Sequence, residues 1–290
     1  MPLYVRKLPC AHGPIIDEKQ IPQNTALYNP SKAGNYTYIR QTEHTPNYDL
    51  NSMLIHHSDS GKVVHINSPY ERMPKTVNLF KGIEDLRICE FEGKVWFGGT
   101  STHISESMNN ELVVGYFNKE VTGIERCECV GIGSVPVKNV VPFVHGGRLL
   151  FLDIYLRKVY VLEEVEGKWV MEVYRQLQLG AGIPSEKYRG STAPIHLHGS
   201  VYGCIVHDII FNDNKKLVNR LSYIHHWYEF DIVTGLVTFI SRGFWVAHWG
   251  IEYISGIEKE GNGKIALYIG IHDRLPIKAV TTLFDLRVGK

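Results

Sequence analysis

The sequence contains no long hydrophobic run. No segment of its 290 residues approaches the roughly 18 consecutive apolar residues that a membrane-spanning helix needs. Residues 1–20 carry charges but no apolar core, so the sequence predicts neither a membrane span nor a secretory signal. We therefore expect a cytoplasmic protein.

An excess of charge is also lacking, and cysteine is scarce. Lys and Arg number 31 and Asp and Glu number 30, so the net charge is +1. This balance lacks the excess of basic residues that is typical of nucleic-acid-binding proteins, and no nucleic-acid partner is expected.

The five cysteines are odd in number, and Cys127 and Cys129 are too close for an easy disulfide. We expect reduced thiols, in keeping with a cytosolic compartment.

Helical periodicity is rare, and short runs rich in Val, Ile, Tyr, Phe and Trp recur instead. Lys94-Val95-Trp96-Phe97 and Val159-Tyr160-Val161-Leu162 are examples. Turn dipeptides such as Glu92-Gly93 and Glu166-Gly167 separate these runs, as hairpins require. The sequence therefore predicts an all-β fold.

A polar motif followed by a hairpin recurs about every 55 residues. The units begin at roughly residues 29, 84, 138, 191 and 250. Five such units predict a five-bladed β-propeller that occupies residues 1–290 as one domain. A β-sandwich with long loops is the competing architecture, but it does not require a regular period.

In a propeller, the first strand of each blade lines the central axis, so the polar motifs would converge at one mouth. Charged and imidazole side chains there are costly to desolvate unless they are paired or hold a polar ligand. Sugars and phosphates are the natural ligands, because carboxylates accept hydroxyl protons and Arg and Lys hold phosphate. The candidate substrate-binding residues are Asn29, Arg40, Glu84, Arg87, Lys138, Asn139, Ser191, His207, Glu252 and Asp273.

The motifs in their order resemble a known family of carbohydrate-active enzymes. They are Asn29-Pro30-Ser31, Gly82-Ile83-Glu84-Asp85-Leu86-Arg87, Lys138-Asn139, Ser191-Thr192-Ala193-Pro194, His207 and Gly270-Ile271-His272-Asp273. This order is similar to glycoside hydrolase family 130 and to the family 108 mannosyltransferases and phosphorylases, which are five-bladed propellers. A branch of such propellers associated with glycosyltransferases looks closer still, through Arg189-Gly190-Ser191 and Gly250-Ile251-Glu252-Tyr253.

The resemblance implies an inverting, metal-independent mechanism in which Asp85 is the general acid or base. It also implies that Arg87 orients Asp85 or binds substrate, and that His207 contributes to phosphate binding. Lys138, Arg40 and Asp273 match motif positions that bind substrate. Leu86 stands where the family has Pro, and Val137 where it has Asp.

We therefore expect an enzyme of the glycosyltransferase or glycoside phosphorylase type, with no cofactor. Its partners would be an oligosaccharide or glycan and either phosphate or a nucleotide sugar. The alternative is a non-catalytic glycan-binding propeller that assists a separate glycosyltransferase. His196 and His198 share a strand face, but no carboxylate at matching spacing completes a metal site, so no metal is predicted.

Overall fold

Nearly all the regular secondary structure of the computed structural model is β-structure. The model describes residues 5–16, 25–44, 49–67, 80–101, 111–118, 123–127, 129–130, 139–185, 188–211, 221–247 and 250–288. Within these ranges lie 26 strands and one short helix, α1 (Leu283–Arg287). The all-β prediction is confirmed. Across the same ranges, no helix has both the length and the apolar character to span a bilayer.

Several hairpins turn where the sequence predicts them. The dipeptides Glu92-Gly93, Gly146-Gly147 and Glu166-Gly167 each close a two-residue loop between paired strands. Both residues of each dipeptide have φ between 50° and 74°, the left-handed conformation that a type I′ turn needs. Glycine adopts it without a steric cost, which explains its place in all three loops.

Sheets I and II are formed by the first part of the chain. Their strands are β3 (Thr25–Ala33), β4 (Tyr36–His44), β5 (Asp49–His57), β6 (Val63–Asn67), β7 (Phe80–Lys81), β8 (Glu84–Phe91), β9 (Lys94–Ser101), β10 (Glu111–Phe117) and β11 (Ile124–Cys127). Sheet I runs β3-β4-β5-β6, with β7 beside β5, and sheet II runs β8-β9-β10-β11. Each is an antiparallel meander in which the earliest strand lies at one edge.

Sheets III, IV and V follow the same plan. Sheet III contains β12 (Cys129–Val130), β13 (Val141–His145), β14 (Arg148–Asp153), β15 (Lys158–Val165) and β16 (Lys168–Gln176). Sheet IV contains β1 (Arg6–Lys7), β17 (Gln178–Leu179), β18 (Arg189–Gly190), β19 (Ile195–His198), β20 (Val201–Phe211), β21 (Leu221–Asp231), β22 (Leu236–Ile240) and β23 (Phe244–Trp245). Sheet V contains β2 (Ala11–Pro14), β24 (Glu252–Lys259), β25 (Lys264–Ile271) and β26 (Leu275–Thr282).

Successive sheets pack face to face through shared apolar clusters. The pairs that represent these clusters are Tyr38 with Phe97 between sheets I and II, Trp96 with Phe151 between II and III, Phe143 with Phe230 between III and IV, and Trp227 with Leu267 between IV and V. Sheet V in turn contacts sheet I, where Ser255 Oγ donates to the Pro30 carbonyl at 2.8 Å. The five sheets thus follow one another around a ring.

The two ends of the chain meet in this ring. Strand β2, from the start of the chain, pairs antiparallel with β26 and completes sheet V. Strand β1 pairs with β23 in sheet IV. The first residues therefore close the ring by completing sheets that the last third of the chain begins.

The inner strands of the five sheets, which are β3, β8, β13, β19 and β24, surround a common axis. At one end of the axis, which we call the far end, a cavity of about 280 Å³ is lined by residues from all five. Its lining comes from residues 32–34, 88–90, 142–144, 193–195 and 257–259. The polar motifs lie earlier in the same strands, so they face the opposite end, which we call the mouth.

Candidate active site

The polar motifs begin with an unusual backbone conformation. Asn29, Asp85 and Asn139 have φ of 49°, 54° and 64°, and His272 and Asp273 have φ of 50° and 52°. Asn and Asp tolerate this left-handed region better than other non-glycine residues. The strand register also shifts at Asn29 and at Asp85, so each lies in a bulge that directs the chain differently from a regular strand. The backbone conformation therefore explains in part why Asn and Asp residues occupy the mouth.

Asp85 is held by two donors from sheet I. Its Oδ1 accepts from Asn29 Nδ2 at 2.7 Å and from Arg40 Nη1 at 3.0 Å. Glu84 lies beside it, with Oε1 3.7 Å from Arg40 Nη2. The side chains of Asp85 and Glu84 keep 18% and 13% of their surface exposed. Two carboxylates with access to solvent thus share one buried guanidinium.

The guanidinium of Arg40 is itself held by other residues of sheet I. Its Nε donates to Asn51 Oδ1 at 3.0 Å, and the same oxygen accepts from Thr42 Oγ1 at 2.8 Å. The guanidinium also lies over the ring of Tyr28, 4.8 Å from its centroid. Burial alone would lower the pKa of Arg40, but the charges of Asp85 and other neighbours outweigh it and raise the pKa. Arg40 is therefore a permanent cation with a fixed direction.

Arg87 lies fully buried beneath Asp85 and joins three sheets. Its Nη1 donates to the carbonyls of Asp85 at 2.8 Å and Leu86 at 3.1 Å, and its Nε donates to the carbonyl of Ser191. Its Nη2 donates to Tyr253 Oη at 2.9 Å. These contacts hold the backbone of Asp85, while the guanidinium has no exposed surface from which to reach a ligand.

Tyr253 continues this buried network toward sheets III and IV. Its hydroxyl lies 3.2 Å from both Asn139 Oδ1 and the Gly190 carbonyl, and it donates to these acceptors. Burial raises the pKa of Tyr253 to about 12, so the hydroxyl keeps its proton. Asn139 is thereby linked to Arg87 through a single phenol.

His207 and Ser191 form a second buried pair. Ser191 Oγ lies 2.7 Å from His207 Nδ1, and neither residue is more than 2% exposed. Burial lowers the pKa of His207 well below its usual value, and the charges of His225, Arg189 and Arg87 lower it further. His207 is therefore a neutral imidazole at pH 7 and does not offer a positive charge to phosphate.

Glu252 is fully buried and lies behind the mouth. Its Oε1 accepts from the Val246 amide at 2.7 Å and its Oε2 from the Ala247 amide at 2.6 Å. Its backbone carbonyl accepts from His225 Nε2 at 2.9 Å. These contacts hold the chain that follows β23 against sheet V.

Asp273 lies in the turn between β25 and β26, where β24 begins alongside. Desolvation and the charge of Asp85 raise the pKa of its carboxyl, and Arg40 opposes them. These interactions place Asp273 within electrostatic reach of the Asp85 pair. Lys138 falls outside the described residues.

Among the described residues, no group of three or more His, Cys, Asp and Glu side chains is arranged to hold a metal ion. His196 instead hydrogen-bonds the Gly199 carbonyl at 2.8 Å.

The fold has recognisable counterparts among solved structures. No protein-family profile and no curated protein matches the sequence. A mannose phosphorylase from Leishmania mexicana, solved with a phosphate ion, superposes with a TM-score of 0.59 at 13% identity over 93% of this chain and 88% of that one. A β-1,2-mannobiose phosphorylase from Listeria innocua gives 0.58 at 12% identity over 92% and 93%. A GDP-mannose-dependent mannosyltransferase from L. mexicana gives 0.58 at 12% identity over 93% and 90%. The likeness is one of fold.

The structure brings most of the predicted residues to one end of the ring but divides them into two layers. Four of them keep exposed surface at the mouth: Glu84, Asp85, Asn139 and Asp273. The other six are buried around or behind it: Asn29, Arg40, Arg87, Ser191, His207 and Glu252.

Sequence reasoning missed Asn51, Tyr223 and Tyr253 as members of the site. Asn51 reaches Arg40 only through the pairing of β4 with β5, for which the sequence has no short-range signal. Tyr223 stands edge-on to His207 and Tyr253, with ring centroids 5.3 and 5.6 Å away. Arg189 is an exposed cation in register with His207, and it belongs to a motif that the sequence did reveal.

Proposed function

We propose that the five sheets are the blades of one five-bladed β-propeller domain spanning residues 1–290, with blades that begin near residues 29, 84, 138, 191 and 250. Two observations support this assignment: the apolar clusters that join successive sheets around the ring, and the far-end cavity that is lined by the inner strands of all five sheets. The fold likeness to mannose phosphorylases and a mannosyltransferase supports it further. Together with the motifs, it supports the resemblance to glycoside hydrolase family 130 and family 108.

The proposed activity is inverting, metal-independent glycosyl transfer, of the glycosyltransferase or glycoside phosphorylase type, with Asp85 as general acid or base. The observation that carries this proposal is the setting of Asp85. Its carboxylate keeps access to the mouth, while Asn29 and Arg40 fix one oxygen and Arg87 fixes the backbone. Such a preorganised carboxylate is what proton transfer at a reacting oxygen requires.

In the direction of synthesis, Asp85 takes the proton of the acceptor hydroxyl as that oxygen bonds to the anomeric carbon. The bond from the anomeric carbon to the phosphate oxygen breaks on the opposite face, and the electron pair leaves with the phosphate. In the reverse direction, Asp85 returns the proton to the glycosidic oxygen while phosphate attacks. The ion pair with Arg40 stabilises the charged carboxylate, which is the form that acts as base in synthesis.

The substrate would meet a mixed surface. Glu84, Asn139 and Asp273 offer hydrogen-bonding groups for sugar hydroxyls, while the buried Asn29 holds Asp85. The neutral His207 and Ser191 pack behind them. Arg189 and Lys138 are the cations that we assign to the phosphate of the donor or of inorganic phosphate. One of the structures similar in fold was solved with a phosphate ion, which supports phosphate as a candidate substrate.

A turnover screen followed by mass spectrometry tests the proposal. Nucleotide sugars would be offered with simple acceptors, and β-linked mannosides with and without inorganic phosphate. We expect turnover by the wild type and a loss of at least 100-fold in Asp85→Asn, since general acid–base catalysis contributes roughly 10²–10⁴-fold. Glu163→Gln, an exposed residue of β15 in sheet III, is the matched control and should keep full activity.

A second candidate function is a non-catalytic glycan-binding propeller that assists a separate glycosyltransferase. The observation that favours it is the shared engagement of Arg40 by Asp85 and Glu84, since ion pairs of this kind also serve purely structural roles. Glycan binding that Asp85→Asn leaves unchanged, with no turnover of any substrate, would establish this candidate and exclude the first.

A further inference from the structure

A second cavity lies at the β8–β9 hairpin of sheet II, at the far end of the axis and away from the mouth. It has a volume of about 720 Å³, within the range of ligand sites in proteins. Strand β8 runs from Glu84 to Phe91, and the six residue steps from Asp85 to Phe91 span about 20 Å. The groove, as we call it, includes Phe91 in its lining, so it is distinct from the mouth.

The lining of the groove combines aromatic rings with carboxylates. Tyr36, Phe91 and Tyr116 contribute rings that are partly exposed, and Glu90, Glu92 and Glu125 contribute exposed carboxylates. The remaining polar groups of the lining are Lys94 and Asn118. Aromatic faces beside hydroxyl-accepting carboxylates suit a sugar, whose rings present C–H faces and whose edges present hydroxyl groups.

Four of these groups already contact one another or the protein backbone. The Tyr116 hydroxyl donates to Glu125 Oε2 at 2.5 Å, and Lys94 Nζ lies 3.9 Å above the Tyr116 ring. Glu90 lies against the α-carbon of Gly34, where a Cβ atom would come within 2.2 Å of its Oε1. The groove therefore has fixed polar groups before any ligand arrives, which lowers the entropic cost of binding.

The charge of the groove selects among ligands. Three carboxylates face one lysine, and Lys94 is already engaged over Tyr116. This balance opposes anionic sugars, phosphates and nucleic acids.

We propose that the groove binds a neutral oligosaccharide of hexose units, at a site separate from the mouth. The choice of a glycan rests on the proposed function. A protein that acts on glycans binds a glycan chain more tightly when a second site of the protein also contacts that chain. The sugar rings would lie against Phe91 and Tyr36, and their hydroxyl groups would donate to Glu92 and Glu125.

Calorimetric titration with neutral hexaoses, linear manno-, gluco- and galacto-oligosaccharides, tests this proposal. We expect at least one to bind, and its affinity to survive Asp85→Asn. Glu125→Ala should weaken it by about tenfold or more, because a hydrogen bond to a charged group contributes roughly 1.5–3 kcal/mol. Tyr116→Phe keeps the ring and its packing, so it shows whether the fixed position of Glu125 matters without risking the fold. A hexauronate should not bind.

Glu164→Ala, an exposed residue of β15 outside the groove, is the matched control. The proposal is overturned if no neutral hexaose binds, or if Glu125→Ala leaves the binding intact. Turnover at the mouth is measured on the same proteins. Normal turnover without groove binding would refute the groove alone, and groove binding without turnover would refute only the catalytic proposal.

Discussion

Acid should destabilise this protein through its buried neutral histidines, and His225 gives the clearest case. It is completely buried, and burial lowers its pKa from 6.5 to about 3. Because the folded pKa lies below the unfolded one, the unfolded chain binds more protons between these values. The free energy of unfolding therefore falls as the pH drops below about 6.5.

The size of the effect follows from those two values. Between pH 7 and pH 5, the unfolded state gains about 2 kcal/mol from protonation of His225, and the folded state gains almost nothing because pH 5 is still far above its pKa. His207 is also buried with a lowered pKa and adds a loss in the same direction. The loss of about 2 kcal/mol from His225 alone is already a large part of the 5–15 kcal/mol that holds a typical domain folded.

Urea unfolding at pH 7, 6 and 5, followed by tryptophan fluorescence, measures this dependence. His225→Gln keeps an N–H that can donate to the Glu252 carbonyl but cannot titrate, so its loss between pH 7 and 5 should be about 2 kcal/mol smaller than that of the wild type. His196→Gln, at an exposed position, should behave as the wild type does. Equal losses for wild type and His225→Gln would refute the reasoning.

Two further predictions concern the support of Asp85. Arg87→Met leaves the carbonyls of Asp85, Leu86 and Ser191 without their buried donor, so we expect a loss of at least about 3–5 kcal/mol in thermal or urea unfolding. Arg87→Lys should recover only part of it, since lysine lacks the planar fork, and full recovery would contradict this account. Gly270→Ala would bring a Cβ atom to 2.8 Å from the Asn29 amide nitrogen and 3.1 Å from its Oδ1. Turnover should fall while Gly261→Ala, which meets nothing within 4 Å, changes little.

The all-β fold followed from local signals in the sequence, because turns and strand periods are short-range properties. The unit expected near residue 84 begins with a strand at Glu84, and the unit expected near 250 begins with one at Glu252. The motif at Asn29 instead lies inside β3, which begins at Thr25, because a bulge interrupts the strand there. Position 138 lies outside the described residues.

The candidate site was harder to predict because burial depends on long-range packing. The alternation of strand residues shows that two neighbours face opposite ways, but not which one faces the mouth. Glu252 is an example: its carboxylate turns to the Val246 and Ala247 amides, a contact that depends on the path of the chain after β23. Arg87 is likewise the centre of a buried network whose partners come from sheets IV and V, which are far from sheet II in the sequence.

The pairing of β2 with β26 has a consequence for how the chain folds. Ala11 pairs with Val280, so a contact between the two ends of the chain completes sheet V. Closing a loop of nearly the whole chain costs about 5 kcal/mol of configurational entropy, and folding slows as such distant contacts come to dominate. During synthesis, the segment around Ala11 must wait until the residues up to Thr282 have been made before its partner strand exists. Once β26 has formed, its open edge can accept the same segment from a second copy, so the chain is most exposed to strand exchange between the formation of β26 and its pairing with β2.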